Sequence, residues 1–398
     1  MEQTKPIKVL FVTHNYPRRR GDYSGVFLHL LATKLLDFGI EVHVVAPHDR
    51  NTAEYEDMDG IKVYRFKYAD SKHETLAYRG NMHRQLAANP FKLFTLMKFL
   101  RRATAKAVEV IDKEGIELVS VHWVVPNCVI ATRLKRHFGD RIKTILHSHG
   151  TDARIINSFY PVYLMARKAM LQSESWTVVS TFIQRLILER NVDVAEKIRV
   201  FPMPNDESIF YPDEAVREER NLVVAVSRLT KQKRLPHLIE AVKIASSEVH
   251  DIKLEIYGSG PERANLRRFI KEQGMERHVS IKSPVSQNDL RTIYNRASVV
   301  VLNSSREGFG LILTEAMLCR RAVIGAESGG IVDIIEHEQT GLLVEPDSAV
   351  DLSKALIRIL KDNSLREQMA QAGYEKALEE FSSYSAAKRF AELYKELS

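Results

Sequence analysis

The stretch from Ala297 to Met317 restricts the possible folds more than any other part of the chain. It opens with an apolar run, Ala-Ser-Val-Val-Val-Leu, whose length and composition predict a buried strand. Gly308 and Gly310 follow and permit a sharp turn with close approach of the backbone. Apolar residues at helical spacing then begin near Leu311. A strand, a glycine turn and a helix N-terminus in this order predict an α/β fold whose backbone N–H groups can bind an anion.

Two carboxylates flank this turn. Glu307 lies in the loop and Glu315 lies about one turn inside the helix, with seven residues between them. An ordinary surface glutamate explains either residue taken alone. As a pair, they suit two parts of one elongated, hydroxyl-rich ligand whose phosphates meet the helix start.

Two other segments carry strand and helix patterns in alternation. An apolar run over 7–13 predicts a buried parallel strand, and an amphipathic helix over 26–38 and a second strand over 41–46 follow it. A similar start lies at 221–227. It is followed by a basic loop that contains Arg228 and Lys233 and by a helix over 235–246. These patterns predict two Rossmann-like domains with parallel sheets.

Length and composition narrow the class of protein. A chain of 398 residues with 44% hydrophobic residues predicts two or three domains with packed cores. No window approaches the roughly 18 uninterrupted apolar residues of a membrane span, and the first residues show no secretory signal. Two cysteines, Cys128 and Cys319, give neither a disulfide framework nor a cysteine-based metal site. We therefore expect a cytoplasmic protein.

The positive charge is concentrated in the first half of the chain. Residues 1–200 hold 31 basic and 21 acidic residues, a net charge of +10, whereas the remainder holds 27 and 30, a net charge of −3. A basic half of this kind attracts a membrane surface, a phosphorylated acceptor or nucleic acid, or is simply a solvated face. We expect no nucleic acid, because neither a reading helix nor an aromatic-basic repeat is present.

A helix predicted over 89–102 has two interpretations. It has Asn89 as its N-cap, Pro90 in its first turn, a broad apolar face and a basic face. It either packs on a sheet with its basic side in solvent or lies on an anionic membrane.

Two motifs have the composition of metal sites. Asp57 and Asp59 form Asp-x-Asp, but the glycine and alternating strand that follow favour a hairpin turn. His147, His149 and Asp152 come at the end of a strand. However, the histidines are two residues apart and no third ligand has a recognisable spacing, which argues against zinc. Gly258-Ser-Gly260 predicts a turn and not a dinucleotide-binding site, because the third glycine of the dinucleotide-binding motif is missing.

The string from Glu307 to Met317 resembles the signature of the family-4 retaining glycosyltransferases, which have the GT-B fold of two Rossmann-like domains facing across a cleft. The resemblance implies that Glu307 binds sugar hydroxyls at the catalytic centre and that Glu315 binds ribose. The backbone at Gly310 and Leu311 would face the diphosphate.

A second element strengthens the resemblance. Arg228-Leu-x-x-x-Lys233 is similar to the family element whose Arg and Lys hold the diphosphate, with Arg234 where the family has glycine. Arg320 and Ala322 stand where the family has glycine and proline.

The first half contains the remaining similar elements. His149-Gly-Thr-Asp152 resembles the catalytic loop, which implies that His149 lies near the reacting carbon and that Asp152 orients the loop or the acceptor. A helix start capped by Thr or Asp explains part of this pattern. Ser24-Gly25 stands where the family has a Gly-Gly pair in the loop that contacts the donor phosphates and the acceptor. In the second half of the chain, Ser283 and Val285 lie where the family contacts the nucleotide base.

The resemblance also implies the domain organisation. Residues 1–201 would form the acceptor domain, 202–220 a linker and 221–380 the donor domain, and the helix 381–398 would return to the first domain. The implied reaction moves a hexosyl group from a UDP- or GDP-sugar to a hydroxyl of a glycan or lipid-linked acceptor. It would retain the anomeric configuration and need no metal or other cofactor.

Alternatives remain open at this point. One is a nucleotide-sugar epimerase of the same fold, although epimerases lack this combination of motifs. Another is a phosphorylase of the same fold, which would need a pyridoxal-bearing lysine. A non-catalytic sugar-nucleotide-binding protein is the other alternative. If the chain is a glycosyltransferase, we expect a role in cell-envelope polysaccharide biosynthesis and peripheral contact with the inner face of the membrane.

Overall fold

The computed structural model describes residues 6–78, 82–190 and 192–398. The chain forms two compact units, Met1–Pro204 together with Ala386–Ser398, and Asn205–Ser385. The first division falls inside the predicted linker 202–220, and the return to the first unit begins at Ala386 rather than at residue 381.

An eight-stranded sheet forms the centre of the first unit. Its strands are β1 (Ile7–Val12), β2 (Ile40–Pro47), β3 (Tyr55–Met58), β4 (Ile61–Phe66), β5 (Leu118–His122), β6 (Lys143–Ser148), β7 (Ser175–Val178) and β8 (Ile198–Val200). They are arranged in the order β3-β4-β2-β1-β5-β6-β7-β8. All neighbouring pairs are parallel except β3 and β4, which form the hairpin predicted at Asp59-Gly60.

Seven α-helices of the first unit precede the division at Pro204 in the described chain. They are α1 (Val26–Leu36), α2 (Met82–Ala88), α3 (Lys92–Glu114), α4 (Val124–Phe138), α5 (Thr151–Ser158), α6 (Tyr160–Gln172) and α7 (Thr181–Leu188). The central strands are mostly apolar, and β1 is buried from Val9 onward and β5 throughout, as expected for a parallel sheet covered by helices.

The second unit is built on a six-stranded, fully parallel sheet. Its strands are β9 (Leu222–Val226), β10 (Lys253–Tyr257), β11 (Val279–Lys282), β12 (Val299–Leu302), β13 (Ala322–Ala326) and β14 (Leu342–Val344). They are arranged in the order β11-β10-β9-β12-β13-β14. Because the strands are parallel, the loops that follow β9, β12 and β13 lie at the same edge of the sheet, where α/β folds bind their ligands.

Four helices of the second unit alternate with strands β9 to β13, and two more follow β14. They are α8 (Leu235–Ala245), α9 (Arg263–Glu272), α10 (Gln287–Arg296), α11 (Leu311–Leu318), α12 (Ala349–Lys361) and α13 (Asn363–Lys376). The helix predicted after Gly310 therefore begins where expected, at Leu311.

The last helix, α14 (Ser383–Leu397), contributes most of its length to the first unit. Phe390 and Tyr394 belong to the core of that unit, and the Tyr394 hydroxyl lies 2.8 Å from Ser120 Oγ of β5. Arg199 also donates two hydrogen bonds to the carboxylate of Glu396. The end of the chain thereby stabilises a sheet that is formed by its beginning.

Helix α3 begins later and ends later than predicted. Asn89 does not cap it; its side-chain oxygen accepts from the backbone N–H of Phe91, which occupies the N-cap position. From Phe99 onward the apolar face is buried, and α3 contacts β2 and β4, as the sheet-packing interpretation requires. The first two turns differ, because Phe91 is 79% exposed and Phe94 is 62% exposed. Within the described ranges, no helix is long and apolar enough to cross a membrane.

Candidate active site

The loops after β9 and β12 are joined at the ligand-binding edge of the second unit. The Ser305 N–H donates to the backbone oxygen of Gln232 over 3.0 Å. Lys233 Nζ lies 2.6 Å from Glu307 Oε2, in an ion pair whose two side chains are mostly buried. Two residues that the sequence predicts for the same ligand, 74 positions apart, are thus in direct contact.

Arg228 extends from the first of these loops into solvent. In the described chain no side-chain hydrogen bond or ion pair holds its guanidinium, so this cation is available to a ligand. Its backbone, in contrast, is tightly held by the loop after β10. A Cβ on Gly258 would lie 1.8 Å from the Ser227 oxygen, and one on Gly260 would lie 2.3 Å from the Leu229 oxygen. The Gly-x-Gly turn therefore positions Arg228, a role that the sequence analysis did not assign.

The N-terminus of α11 lies at the end of the Glu307 loop. Gly310 is its N-cap residue, with φ of +122°, and no side chain caps the helix there. A Cβ at this position would approach side-chain atoms of Leu302 and Ile334 to 3.2 and 3.3 Å. Glycine is therefore favoured by both conformation and space, and the first N–H groups from Leu311 onward are directed at an incoming anion.

A third loop, which follows β13, supports Glu307 from behind. The Gly330 N–H donates to the Glu307 backbone oxygen over 2.9 Å, and the Arg306 N–H donates to Ser328 Oγ over 3.1 Å. Gly329 has φ of +64°, and a Cβ on it would lie 2.3 Å from the Glu307 oxygen. The position of Glu307 therefore depends on the absence of a side chain at residue 329.

Glu315 lies within α11, as predicted, and accepts a hydrogen bond from the hydroxyl of buried Tyr294 over 2.8 Å. Desolvation raises the pKa of Glu315 to about 7, and the bond from Tyr294 opposes this rise. The carboxyl group is thus poised between its two protonation states near neutral pH.

We predict that donor binding tightens with rising pH through this group. Because the unliganded carboxyl holds its proton up to about pH 7, a ligand whose ribose hydroxyls donate to the carboxylate must displace that proton. Affinity for a nucleotide sugar should then rise about tenfold from pH 6 to pH 8. Calorimetric titration can measure this, since the donor's esterified diphosphate does not titrate in that range. A flat profile, or an equal slope in Glu315→Gln, would refute the role of Glu315.

Ser283 and Val285 lie on the exposed loop between β11 and α10. β11 is two strands from β9 in the sheet, a separation of about 10 Å. That distance suits the span between a diphosphate at Arg228 and its nucleoside base.

Two arginines that replace family glycines keep a backbone conformation typical of glycine. Arg234 has φ of +46° and Arg320 has φ of +53°, so both adopt the left-handed conformation that glycine favours. Arg234 is also held by an ion pair to Asp347 at 2.8 Å. Ala322 begins β13 without interrupting it.

The candidate catalytic loop of the first unit follows β6. The His149 ring packs 4.6 Å from Trp123, and His149 Nε2 lies 3.3 Å from His122 Nδ1. The rings of His122 and His147 are stacked 4.3 Å apart. Burial lowers the pKa of His149 to about 3, with a smaller effect from His14, so the imidazole is neutral at physiological pH.

Asp152 holds this loop in place. Its carboxylate accepts from the backbone N–H groups of His149, Gly150 and Val124 over 3.1, 3.1 and 2.9 Å. Burial raises the pKa of Asp152, and these hydrogen bonds partly offset the rise. Of the two predicted roles, the structure supports orientation of the loop. The N-cap of α5 is Gly150 and carries no side-chain cap, so the simple capping explanation does not hold.

Ser24 and Gly25 lie at the start of α1. Gly25 is its N-cap with φ of +68°, and a Cβ there would lie 2.5 Å from the backbone oxygen of Asn15. This glycine therefore allows the loop of residues 14–25 to fold tightly on itself. Ser24 is buried, and its N–H donates to Asp22.

Two residues beside His149 were not selected from the sequence. Asn127 Nδ2 donates to the backbone oxygen of His122 over 2.8 Å and lies 3.3 Å from His14 Nδ1. The His14 ring in turn lies 5.0 Å from Trp123. The signal for His14 was its position just after β1, whereas Asn127 lies in α4, which follows the neighbouring strand β5.

Both aspartates of the Asp-x-Asp motif already have partners within the protein. Asp59 is paired with Arg20 at 2.6 Å and His29 at 3.0 Å, and Asp57 accepts from the Gly60 N–H. Among the described residues, one group has the geometry of a metal site, Glu41, His43 and Glu114. The ammonium of Lys62 lies 2.9 Å from Glu41 and 3.7 Å from Glu114, and offsets part of their negative charge.

Comparison with known families agrees with this geometry. The model described as "Glycosyltransferase Family 4" matches residues 24–208, and the model described as "Glycosyl transferases group 1" matches residues 207–376. The chain belongs to the family-4 glycosyltransferases. It is therefore an enzyme that transfers glycosyl groups, and its two α/β units are those of the GT-B fold.

Several relatives of this glycosyltransferase have low sequence identity to it, but their alignments cover most of both chains. It is 27% identical to an N-acetyl-alpha-D-glucosaminyl L-malate synthase of Bacillus anthracis, over 78% of this chain and 82% of that one. It is 25% identical to a GDP-mannose-dependent alpha-(1-6)-phosphatidylinositol monomannoside mannosyltransferase of Mycobacterium tuberculosis, over 92% and 93%. The fold matches a sucrose-phosphate synthase of Thermosynechococcus elongatus with a TM-score of 0.77 at 21% identity, over 98% and 99%.

Proposed function

We propose that this glycosyltransferase moves a hexosyl group from a UDP- or GDP-sugar to a hydroxyl of a glycan or lipid-linked acceptor, retaining configuration and without a metal ion. The observation that carries the proposal is the joining of the Arg228–Lys233 loop to the Glu307 loop at the uncapped N-terminus of α11. These groups supply positive charge for a diphosphate and a carboxylate for sugar hydroxyls.

The leaving group determines the main chemical task. As the glycosidic bond breaks, negative charge develops on the diphosphate. The guanidinium of Arg228, the ammonium of Lys233 and the N–H groups at Gly310 and Leu311 would stabilise that charge. Fixed cations of this kind do the work that a divalent metal does in other transferases.

The ion pair between Lys233 and Glu307 gives the donor a way to order the site. Without ligand, the lysine neutralises the carboxylate at 2.6 Å. A bound diphosphate competes for the lysine, which leaves a Glu307 oxygen to accept hydrogen bonds from the sugar hydroxyls. Donor binding would therefore prepare the residue that orients the sugar.

His149 would contact the sugar as a neutral group. A neutral imidazole can hydrogen-bond a sugar hydroxyl without repelling the positive charge that develops at the reacting carbon, and burial keeps His149 neutral. Retention would then follow from attack on the face that the diphosphate leaves, with a phosphate oxygen accepting the proton of the acceptor hydroxyl.

The names of two relatives support the substrate class. One is a GDP-mannose-dependent enzyme that acts on a phosphatidylinositol mannoside, and the other is named for transfer of N-acetylglucosamine to malate. Both names contain a hexose-type sugar, and the first also contains a phosphatidylinositol lipid. These names favour a role in cell-envelope glycan synthesis.

A thermal-shift screen tests donor binding first. We expect one of UDP, GDP or ADP, or its sugar, to raise the melting temperature by about 5 °C or more at a concentration 100 times its Kd. The shift should be equal with and without EDTA. No shift with any nucleotide would contradict the proposal, and a shift abolished by EDTA would contradict its metal independence.

We also propose that the first unit contacts an anionic membrane surface. The exposed phenylalanines at the start of α3 stand next to exposed Lys98, Arg101 and Arg102, a combination typical of interfacial helices. The protein should co-sediment with anionic vesicles at low salt and not with neutral ones. A Phe91→Asp/Phe94→Asp variant should lose this binding, and equal binding by the variant would refute the assignment to α3.

A further inference from the structure

The first unit contains a large cavity that none of the predicted roles explains. It has a volume of about 610 Å³, within the range of small-molecule sites. Eleven of its sixteen lining residues are apolar, among them Leu96, Trp123, Ile155, Phe159, Val162 and Met165. An apolar pocket of this size favours an apolar ligand.

The cavity adjoins the candidate catalytic loop. Thr151 and Asp152 of that loop line it, together with His14 and Trp123. The Trp123 ring is 4.6 Å from the His149 ring. A ligand in the cavity would therefore have one end beside His149, which is the position of an acceptor rather than of a remote effector.

The other walls of the cavity belong to helices with exposed apolar residues. Phe159 and Met165 of the α6 region line the cavity and are themselves exposed, as are Phe91 and Phe94 at the start of α3. The apolar lining thus continues into an apolar surface. Such continuity suits a ligand that enters from a hydrocarbon phase.

The two stretches of sequence that contain α2, most of α3 and α6 carry charged residues of one sign only. No acidic residue occurs between Glu74 and Glu109, where α2 and most of α3 lie, and none occurs between Asp152 and Glu174, which include α6. The same two stretches hold ten lysines and arginines. A polar sugar acceptor would not need this arrangement, whereas an amphiphile with an anionic head group at a membrane would benefit from it.

We propose that the cavity binds the hydrocarbon chain of a lipid acceptor, with the hydroxyl-bearing head group held at His149. The inference rests on the proposed function and narrows its acceptor from glycans in general to amphiphiles. The enzyme would extract the chain of its acceptor from the membrane into the cavity, which is lined mainly by helices α2 to α6.

Trp123 provides a direct reporter of occupancy. The chain has two tryptophans, and the other, Trp176, is 1% exposed in the core and does not line the cavity. The probes are n-alkyl glucosides and 1-alkyl glycerols from hexyl to decyl, titrated below their micelle concentrations without donor. Fluorescence should change on binding, with affinity rising about three- to fourfold per methylene. Trp123→Phe should abolish the response.

Filling the cavity provides the matched comparison. Val162→Phe and Ile155→Phe each add a ring to the lining, and both should weaken decyl binding at least tenfold. Leu164→Phe makes a similar change at a 51% exposed position on α6 that does not line the cavity, and should bind as the native protein does. Thermal melting of all three variants verifies that they fold.

Three results would overturn the inference. The first is an affinity that does not depend on chain length, and the second is equal binding by the Val162 and Leu164 variants. The third is binding that depends on chain length while the KM for transfer stays the same across the panel. The last would assign the cavity to a structural lipid. The nucleotide thermal shift tests the second unit separately. A nucleotide shift without alkyl binding would therefore refute the acceptor inference alone, and the reverse would refute the proposed donor chemistry alone.

Discussion

Replacing Arg228 with alanine should lower kcat about 100- to 1,000-fold, because under the proposed function it removes a cation that stabilises the charge developing on the leaving diphosphate. The structure suggests a small effect on folding, since the guanidinium is exposed and no partner in the described chain depends on it. Nucleoside diphosphate release from the donor identified by thermal shift measures the effect, with kcat and KM determined separately.

Two variants serve as controls for this loss. Arg228→Lys keeps the charge but not the forked donor geometry and should recover only part of the rate. Arg267→Ala removes an exposed arginine from α9 of the same unit and should leave the rate unchanged. An Arg228→Ala enzyme with at least half of the native kcat would exclude Arg228 from the diphosphate site.

Gly329→Ala should lower kcat/KM about 100-fold through a residue that has no chemistry of its own. The added Cβ would lie 2.3 Å from the Glu307 oxygen and 2.6 Å from the Glu307 nitrogen. Both contacts are to backbone, so the loop that carries Glu307 must move. A displacement of about 1 Å in a positioning residue can cost two orders of magnitude in rate. Steady-state kinetics with the same donor measures this.

Gly274→Ala separates the clash from the backbone strain. Gly274 has φ of +66°, nearly the same as the +64° of Gly329, but a Cβ on it would meet nothing within 4 Å. The left-handed conformation should cost each alanine about 1 kcal/mol of stability, and only the Gly329 variant adds the cost of the clash. Only the Gly329 variant should lose activity. Similar rates for the two variants would show that the contact with Glu307 is unimportant.

The fold and half of the donor site could be predicted from local sequence. The buried run over 299–302, the turn at Gly310 and the helix from Leu311 are all encoded within twenty residues, so periodicity and glycine placement sufficed. The basic loop at Arg228 and Lys233 was visible for the same reason. The contact that joins these two loops could not be predicted in this way, because Lys233 meets Glu307 only when the strands β9 and β12 are neighbours in the sheet.

The remaining features depend on contacts between distant parts of the chain. Gly258 and Gly329 have ordinary turn sequences, and their roles become clear only when the loops they support are beside them. The cavity has no sequence signature either, since its walls come from the loop after β1, from residues 76–78 and from helices between residues 82 and 172, and its apolar residues look like core positions. The neutral state of His149 likewise results from burial beside His122 and Trp123, which lie on another strand and its following loop.

The central claim is metal-independent transfer with retention, and NMR of the first product tests it most directly. The donor identified by thermal shift is incubated with the enzyme and an alkyl acceptor in EDTA, and the anomeric signal of the transferred sugar is compared with that of the donor. The account predicts the same anomeric configuration, at a rate that EDTA does not change and that Arg228→Ala nearly abolishes. An inverted configuration, or activity that requires an added divalent cation, would contradict it.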